Sequence, residues 1–149
     1  IMYIPQYFEV QELVCPHVCN KWGHNPNFIW SFFDPHLLET LDFLREKLGK
    51  PIFVNSWSIG GSLSQRGLRC NLCDLVRSKT SMSKIYMSSH ILGKACDFDV
   101  KEMNAAAVRN WIMLHASELP YPISLEDGVS WVHLDMREQG NKKIYLFKA

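Results

Sequence analysis

The sequence predicts an α+β fold, a small and largely antiparallel sheet flanked by helices, and three observations carry that reading. Apolar residues recur at helical spacing early in the chain. Strand-like segments gather after residue 94 and close the chain one after another, so the helices and the sheet are segregated in the way α+β proteins segregate them. No internal repeat, low-complexity tract or Pro- or Gly-rich linker divides the 149 residues, which therefore read as a single domain, residues 1–149.

The clearest helix begins at Asp34-Pro35, an N-cap residue followed by proline at the first helical position, and ends at Gly49 with Pro51 beyond it. Leu37, Leu41, Leu44 and Leu48 then share one face, which is core. Ile52 to Asn55 is a short β-type run. From Ser56 to Lys84 the chain turns polar and Gly-containing and carries Arg66, Arg69, Cys70 and Cys73; a loop of that length inside a domain tends to be functional. Gly93 permits a turn, and the alternation from Ala95 to Val100 suggests a half-buried strand. Asn104 caps a second helix that runs from Ala105 to about His115 before Pro120 and Pro122 stop it. Ile123 to Glu126, Ser130 to Met136 and Lys142 to Lys148 are the closing strands, the last two separated by a Gly140-Asn141 turn.

Composition limits the function classes. With 47% hydrophobic residues, 21% charged residues and a net charge of +1, the chain has the balance of an ordinary globular protein and offers nothing to a nucleic-acid polyanion. No apolar run approaches the roughly 20 residues that cross a bilayer, so no membrane partner is expected. The start, Ile1-Met2-Tyr3-Ile4-Pro5, lacks the features of a signal peptide. Five cysteines, an odd number in no dense framework, read as reduced thiols in a monomer made in the cytoplasm.

Two segments carry chemistry: Ser88-Ser89-His90-Ile91-Leu92-Gly93-Lys94-Ala95-Cys96-Asp97 and Glu126-Asp127-Gly128-Val129-Ser130-Trp131-Val132-His133-Leu134-Asp135. Each sets imidazole beside carboxylate. Gly93 can reverse the backbone so that His90 and Asp97 meet. Strand alternation puts Trp131, His133, Asp135 and Arg137 on one face and Val132, Leu134 and Met136 on the other. Two imidazoles, one carboxylate and a fourth position left to water make a catalytic zinc set, although spacing alone also allows ordinary hydrogen-bonded residues.

The first segment resembles the SxHxxGxAxD signature of the zinc D-Ala-D-Ala peptidases, a superfamily that includes lysostaphin-type enzymes and the hedgehog signalling domain. Ser88, His90, Gly93, Ala95 and Asp97 match its five fixed positions. The second resembles that family's terminal WxH element at Trp131 and His133. Asn55-Ser56-Trp57, Gln65 to Arg69 and Leu125-Glu126 are similar to its small phage and prophage members, which extends the likeness from about Tyr7 to Phe147. The resemblance implies Zn²⁺ held by His90, Asp97 and His133. It also implies hydrolysis of peptidoglycan stem peptides, as a D,D-carboxypeptidase or an endopeptidase, on the cell wall after release.

The sequence departs from the better-known members at the catalytic acid. Many carry an acid three residues before the last His ligand or a His two before it; here those places hold Ser130 and Trp131. Glu126 is then the candidate base, with Asp127 second and Asp135 third. Asp135 better suits a supporting role, orienting a ligand imidazole through its other nitrogen. Arg66 and Arg69 are candidates for binding a substrate carboxylate or developing oxyanion, and Ser88 for substrate backbone. The missing acid sustains one rival, a catalytically inactive zinc-containing binding module of the same fold. A second rival is a four-thiolate zinc knot from Cys15, Cys19, Cys70 and Cys73, with His17 and His24 as spare ligands. Cys96, on the strand face opposite Asp97, reads as a small packed apolar group.

Overall fold

The computed structural model describes residues 1–137 and 140–149. The fold is α+β, as the sequence predicts. The Asp34 side chain accepts from the His36 backbone N–H, Pro35 fills the first helical position, and helix α4 (Pro35–Leu48) ends on Gly49 at φ 64°. Leu37, Leu38, Leu41 and Leu44 are fully buried on its inner face, while Leu48 is only partly covered.

Three short helices precede it where sequence periodicity gave nothing: α1 (Val10–Leu13), α2 (Pro16–Trp22) and α3 (Pro26–Trp30). Segments this short complete at most two turns, too few to display a 3.6-residue period. Their legible signals are local: proline near the start of α2 and α3, and Asn25 accepting from Phe28 N–H.

The sheet contains β1 (Ile52–Phe53), β2 (Ala95–Val100), β3 (Ile123–Glu126), β4 (Val132–Asp135) and β5 (Ile144–Phe147), in the order β1-β2-β4-β3-β5. The first three pairings along that order are antiparallel. The fourth is not: β5 runs parallel to β3, with Ile123 opposite Ile144, and does not form a hairpin with β4. The sheet is largely antiparallel as expected, and only the hairpin that the Gly140-Asn141 turn suggests between the last two strands is corrected. A Gly-Asn turn between two strands fixes only a reversal, and the side of the sheet that β5 joins is set by packing. Part of that connection, Glu138 and Gln139, lies outside the described residues.

Phe98, Leu134, Val132, Ile123 and Leu125 bury one face of the sheet in the same core as α4 and as Val108 and Ile112 of α6 (Ala105–Leu114). Asn104 caps α6 by accepting from Ala107 N–H. The long excursion between β1 and β2 holds only a 3₁₀ turn (Trp57–Ile59) and α5 (Asp74–Arg77), in keeping with its polar composition. Among the described residues no helix is long and apolar enough to cross a membrane.

Gly93 joins the turn after His90 to β2 with φ +69°, and a Cβ there would fall 2.2 Å from the Phe32 carbonyl oxygen. Gly128 has φ +80° but open space around it. Gly93→Ala is therefore expected to cost about 2 to 4 kcal/mol, and Gly128→Ala about 1 kcal/mol, in urea denaturation. Equal costs at the two positions would show that the close approach to Phe32 contributes nothing.

Candidate metal centre

Antiparallel pairing of β2 with β4 sets Asp97 directly opposite His133, so their side chains leave the sheet on the same face as cross-strand neighbours. His90 arrives from the preceding loop. Its turn is closed by Ile91 N–H and Leu92 N–H donating to the Ser88 carbonyl and by Lys94 N–H donating to Ser89. The turn is anchored by the Asp34 N–H to Gly93 carbonyl bond and by Lys94 Nζ at 2.9 Å from Asp34 Oδ2.

The three side chains meet. His90 Nε2 lies 3.3 Å from Asp97 Oδ2, and His133 Nδ1 lies 2.7 Å from Asp97 Oδ1. One ligand atom from each falls within 4.8 Å of the others, a group that could hold a metal ion. Ligands about 2.0 to 2.1 Å from zinc stand about 3.3 Å apart on a tetrahedron, the separation seen between His90 and Asp97; the His133 edge is drawn in to hydrogen-bond length.

The nitrogen on the far side of each ring is engaged. His90 Nδ1 lies 2.9 Å from the Gly67 carbonyl oxygen, an acceptor only, so Nδ1 carries a proton and Nε2 is the nitrogen turned toward Asp97. His133 Nε2 lies 2.8 Å from Asp135 Oδ2. Asp135 is fully buried and is held by Arg137, whose Nη2 and Nε donate to it at 2.7 and 3.1 Å. Carboxylate or carbonyl acceptors behind each imidazole are the arrangement that orients metal-ligating histidines.

Without a metal, the same contacts fix the charges. Burial pushes the Asp97 carboxyl up, but hydrogen bonds from His133 and His90 outweigh it and hold Asp97 well below the usual carboxylate range. Burial pulls His133 down, yet Asp135 and Asp97 on either side raise it to about 9. Burial raises Asp135 while His133 and Arg137 bring it to about 2. His133 is thus an imidazolium between two carboxylates at neutral pH.

Most of the remaining residues singled out from the sequence divide between two adjoining grooves. One, of about 430 Å³, opens over these three side chains and is also lined by Ser88, Glu126, Trp131 and Arg137. The other, of about 510 Å³, shares Arg69, Asp97 and Trp131 with it and continues past Arg66 and Ser130. Arg69 Nη2 lies 3.4 Å from Asp97 Oδ2, whereas Arg66 is committed to Asp99 at 2.9 Å, farther along β2. Ser88 Oγ accepts from His90 N–H. Asp127 pairs with Arg109 at 3.7 Å and accepts from Gly128 N–H, outside the lining of either groove.

A second group of ligand-type side chains, Cys15, His17, Cys70 and Cys73, gathers at the junction of the N-terminal helices with the long loop, and it too could hold a metal ion. The four-thiolate set read from the sequence is corrected in one member: His17 stands in the group and Cys19 and His24 do not. Cys15 precedes Pro16 at the start of α2, and within that first turn His17 comes to the cluster while Cys19 does not. Cys96 is buried in the core. Comparison with protein-family models, curated proteins and solved structures finds no match for the chain.

The metal-free protein should respond to alkali in a defined window. A folded pKa raised above its unfolded value contributes stability that is full below about 6.5 and lost as pH rises through about 9, on the order of 3 kcal/mol for His133. Asp135→Asn should flatten that loss in thermal melts of chelated protein and weaken zinc binding about 10- to 100-fold. Unchanged zinc affinity would deny Asp135 its orienting role.

Proposed function

We propose that this chain is a zinc peptidase of the D-Ala-D-Ala type that hydrolyses peptidoglycan stem peptides. The supporting observation is the convergence of His90, Asp97 and His133, with the far nitrogen of each ring already engaged, at the floor of an open groove. Three protein ligands with open space beside them suit a catalytic rather than a closed structural site. Zinc there would polarise the scissile carbonyl and lower the pKa of water toward about 7.

The protein side chains then have separate tasks. Glu126 lines the groove, is half-buried, and lies near enough to Arg137 for its charge to be felt there. Asp97 and Asp135 are committed to His90, His133 and Arg137, and Asp127 to Arg109. Glu126 is therefore the carboxylate best situated to take a proton from water and return one to the leaving amine. Arg69, beside Asp97, offers a guanidinium to a substrate carboxylate or developing oxyanion. Ser88 and the half-exposed Trp131 shape the groove around the peptide. The setting proposed is the cell wall, reached after release, with the protein acting as a monomer.

Ser130 and Trp131, where relatives of this type place an acid or a His, favour one second reading: a zinc-holding module of the same fold that binds without turnover. The two are separated by assaying zinc-loaded protein on peptidoglycan and on D-Ala-D-Ala-ended peptides. Glu126→Gln is expected to keep its zinc and lose about 10²- to 10⁴-fold in kcat, while His133→Ala loses metal and activity together. Absence of cleavage with zinc bound would favour the binding module, and undiminished cleavage in His133→Ala would overturn the site.

A further inference from the structure

We infer that Cys15, His17, Cys70 and Cys73 form a second, structural zinc site that staples the N-terminal helices to the loop carrying Gly67 and Arg69. The group lies apart from the first site and is built from different chemistry. Three thiols and an imidazole make a closed four-ligand set, soft enough to select zinc over magnesium or calcium and with no position left for substrate.

The distances match such an ion. With Zn–S at about 2.3 Å and Zn–N at about 2.0 Å, tetrahedral ligands stand about 3.8 Å apart for two sulfurs and about 3.5 Å for sulfur and nitrogen. Cys15 Sγ lies 3.7 Å from Cys70 Sγ, Cys70 Sγ lies 3.9 Å from Cys73 Sγ, and Cys70 Sγ lies 3.5 Å from His17 Nδ1. A disulfide would bring two sulfurs to about 2.05 Å, and all five cysteines are free. Leu72 N–H points at Cys70 Sγ at 3.3 Å, a donor that favours the thiolate a metal requires.

The position gives the site its task. Cys15 and Cys70 are 55 residues apart, and the backbone beside them is tied by the Val14–Leu68 pairing, by Leu68 N–H donating to the Leu13 carbonyl, and by Asn55 and Trp57 donating to the Glu12 and Val14 carbonyls. Metal binding there would close a long loop and add a tie between the start of α2 and the 65–73 stretch beside these hydrogen bonds. The stapled stretch is the one that accepts the His90 Nδ1–H on Gly67 and sets Arg69 against Asp97. His17, at the exposed side of the cluster, leaves a path for the ion.

Cobalt reports this site separately from the first, because only a thiolate ligand gives the near-ultraviolet thiolate-to-cobalt charge-transfer band. Reduced, chelator-stripped full-length protein is titrated with Co²⁺, and zinc per chain is counted by atomic emission. The expected results are a band that saturates at about one equivalent and about two zinc ions per chain. Cys70→Ser should lose the band and one zinc, and His17→Ala should weaken cobalt binding at least about tenfold. Cys19→Ser and His133→Ala should both keep the band, so failure of the peptidase reading leaves this one standing. If Cys70→Ser does not fold, His17→Ala, altered only at an exposed position, decides the matter. A folded wild type without the band, a band unaffected in His17→Ala, or one lost in Cys19→Ser would overturn the assignment.

Discussion

The pairing of β2 with β4 is the constraint on which the candidate centre depends. Asp97 and His133 are opposite one another only in the register that also sets Ala95 against Asp135 and Phe98 against Val132. A slip of one residue would turn every side chain of one strand to the other face, burying imidazole where Val132 and Leu134 now pack and exposing the core. The apolar alternation that stabilises the sheet is thus also what sets Asp97 and His133 side by side. Burial of Phe98, Val132 and Leu134, each fully inaccessible, contributes roughly 1.5 to 3 kcal/mol per side chain, enough to make that register decisive.

The third candidate ligand, His90, depends on close backbone approach rather than on strand geometry. His90 sits in a turn that needs Gly93 in the left-handed region against Phe32, and its ring is aimed by the Gly67 carbonyl. A Cβ on Gly67 would lie 2.1 Å from the Leu13 carbonyl oxygen, so the 65–69 stretch can lie where it does only with glycine there. Asp97 N–H donates to the Arg66 carbonyl and Arg69 N–H to the His90 carbonyl, which weaves this stretch between two of the ligands. The cysteine cluster at Cys70 and Cys73 continues directly from it.

How much was legible follows from the range of each signal. The capped helix from Pro35, strand β2 and the helix from Ala105 are written in local caps and in periods long enough to count. The opposition of His90, Asp97 and His133 was suggested by motif spacing, but their meeting is a matter of register, which one sequence does not encode locally. Two features differ from the sequence expectation. The parallel pairing of β5 with β3 and the replacement of Cys19 by His17 both turn on which of two sequence-equivalent options tertiary packing selects. Asp135 was readable as a supporting residue because strand alternation places it on the His133 face two residues on; the Gly67 carbonyl was not, since a backbone acceptor leaves no mark in side-chain chemistry.

The proposed function requires one ion between the inward nitrogens of His90 and His133 and the Asp97 carboxylate. Anomalous diffraction at the zinc absorption edge, from crystals grown with zinc, tests it most directly. The expected result is a peak within about 2.0 to 2.2 Å of His90 Nε2, His133 Nδ1 and an Asp97 oxygen, with the His133–Asp97 contact opened to admit it. An edge-specific map with no peak there, in crystals where Asp97 and His133 keep their direct 2.7 Å hydrogen bond, would contradict it.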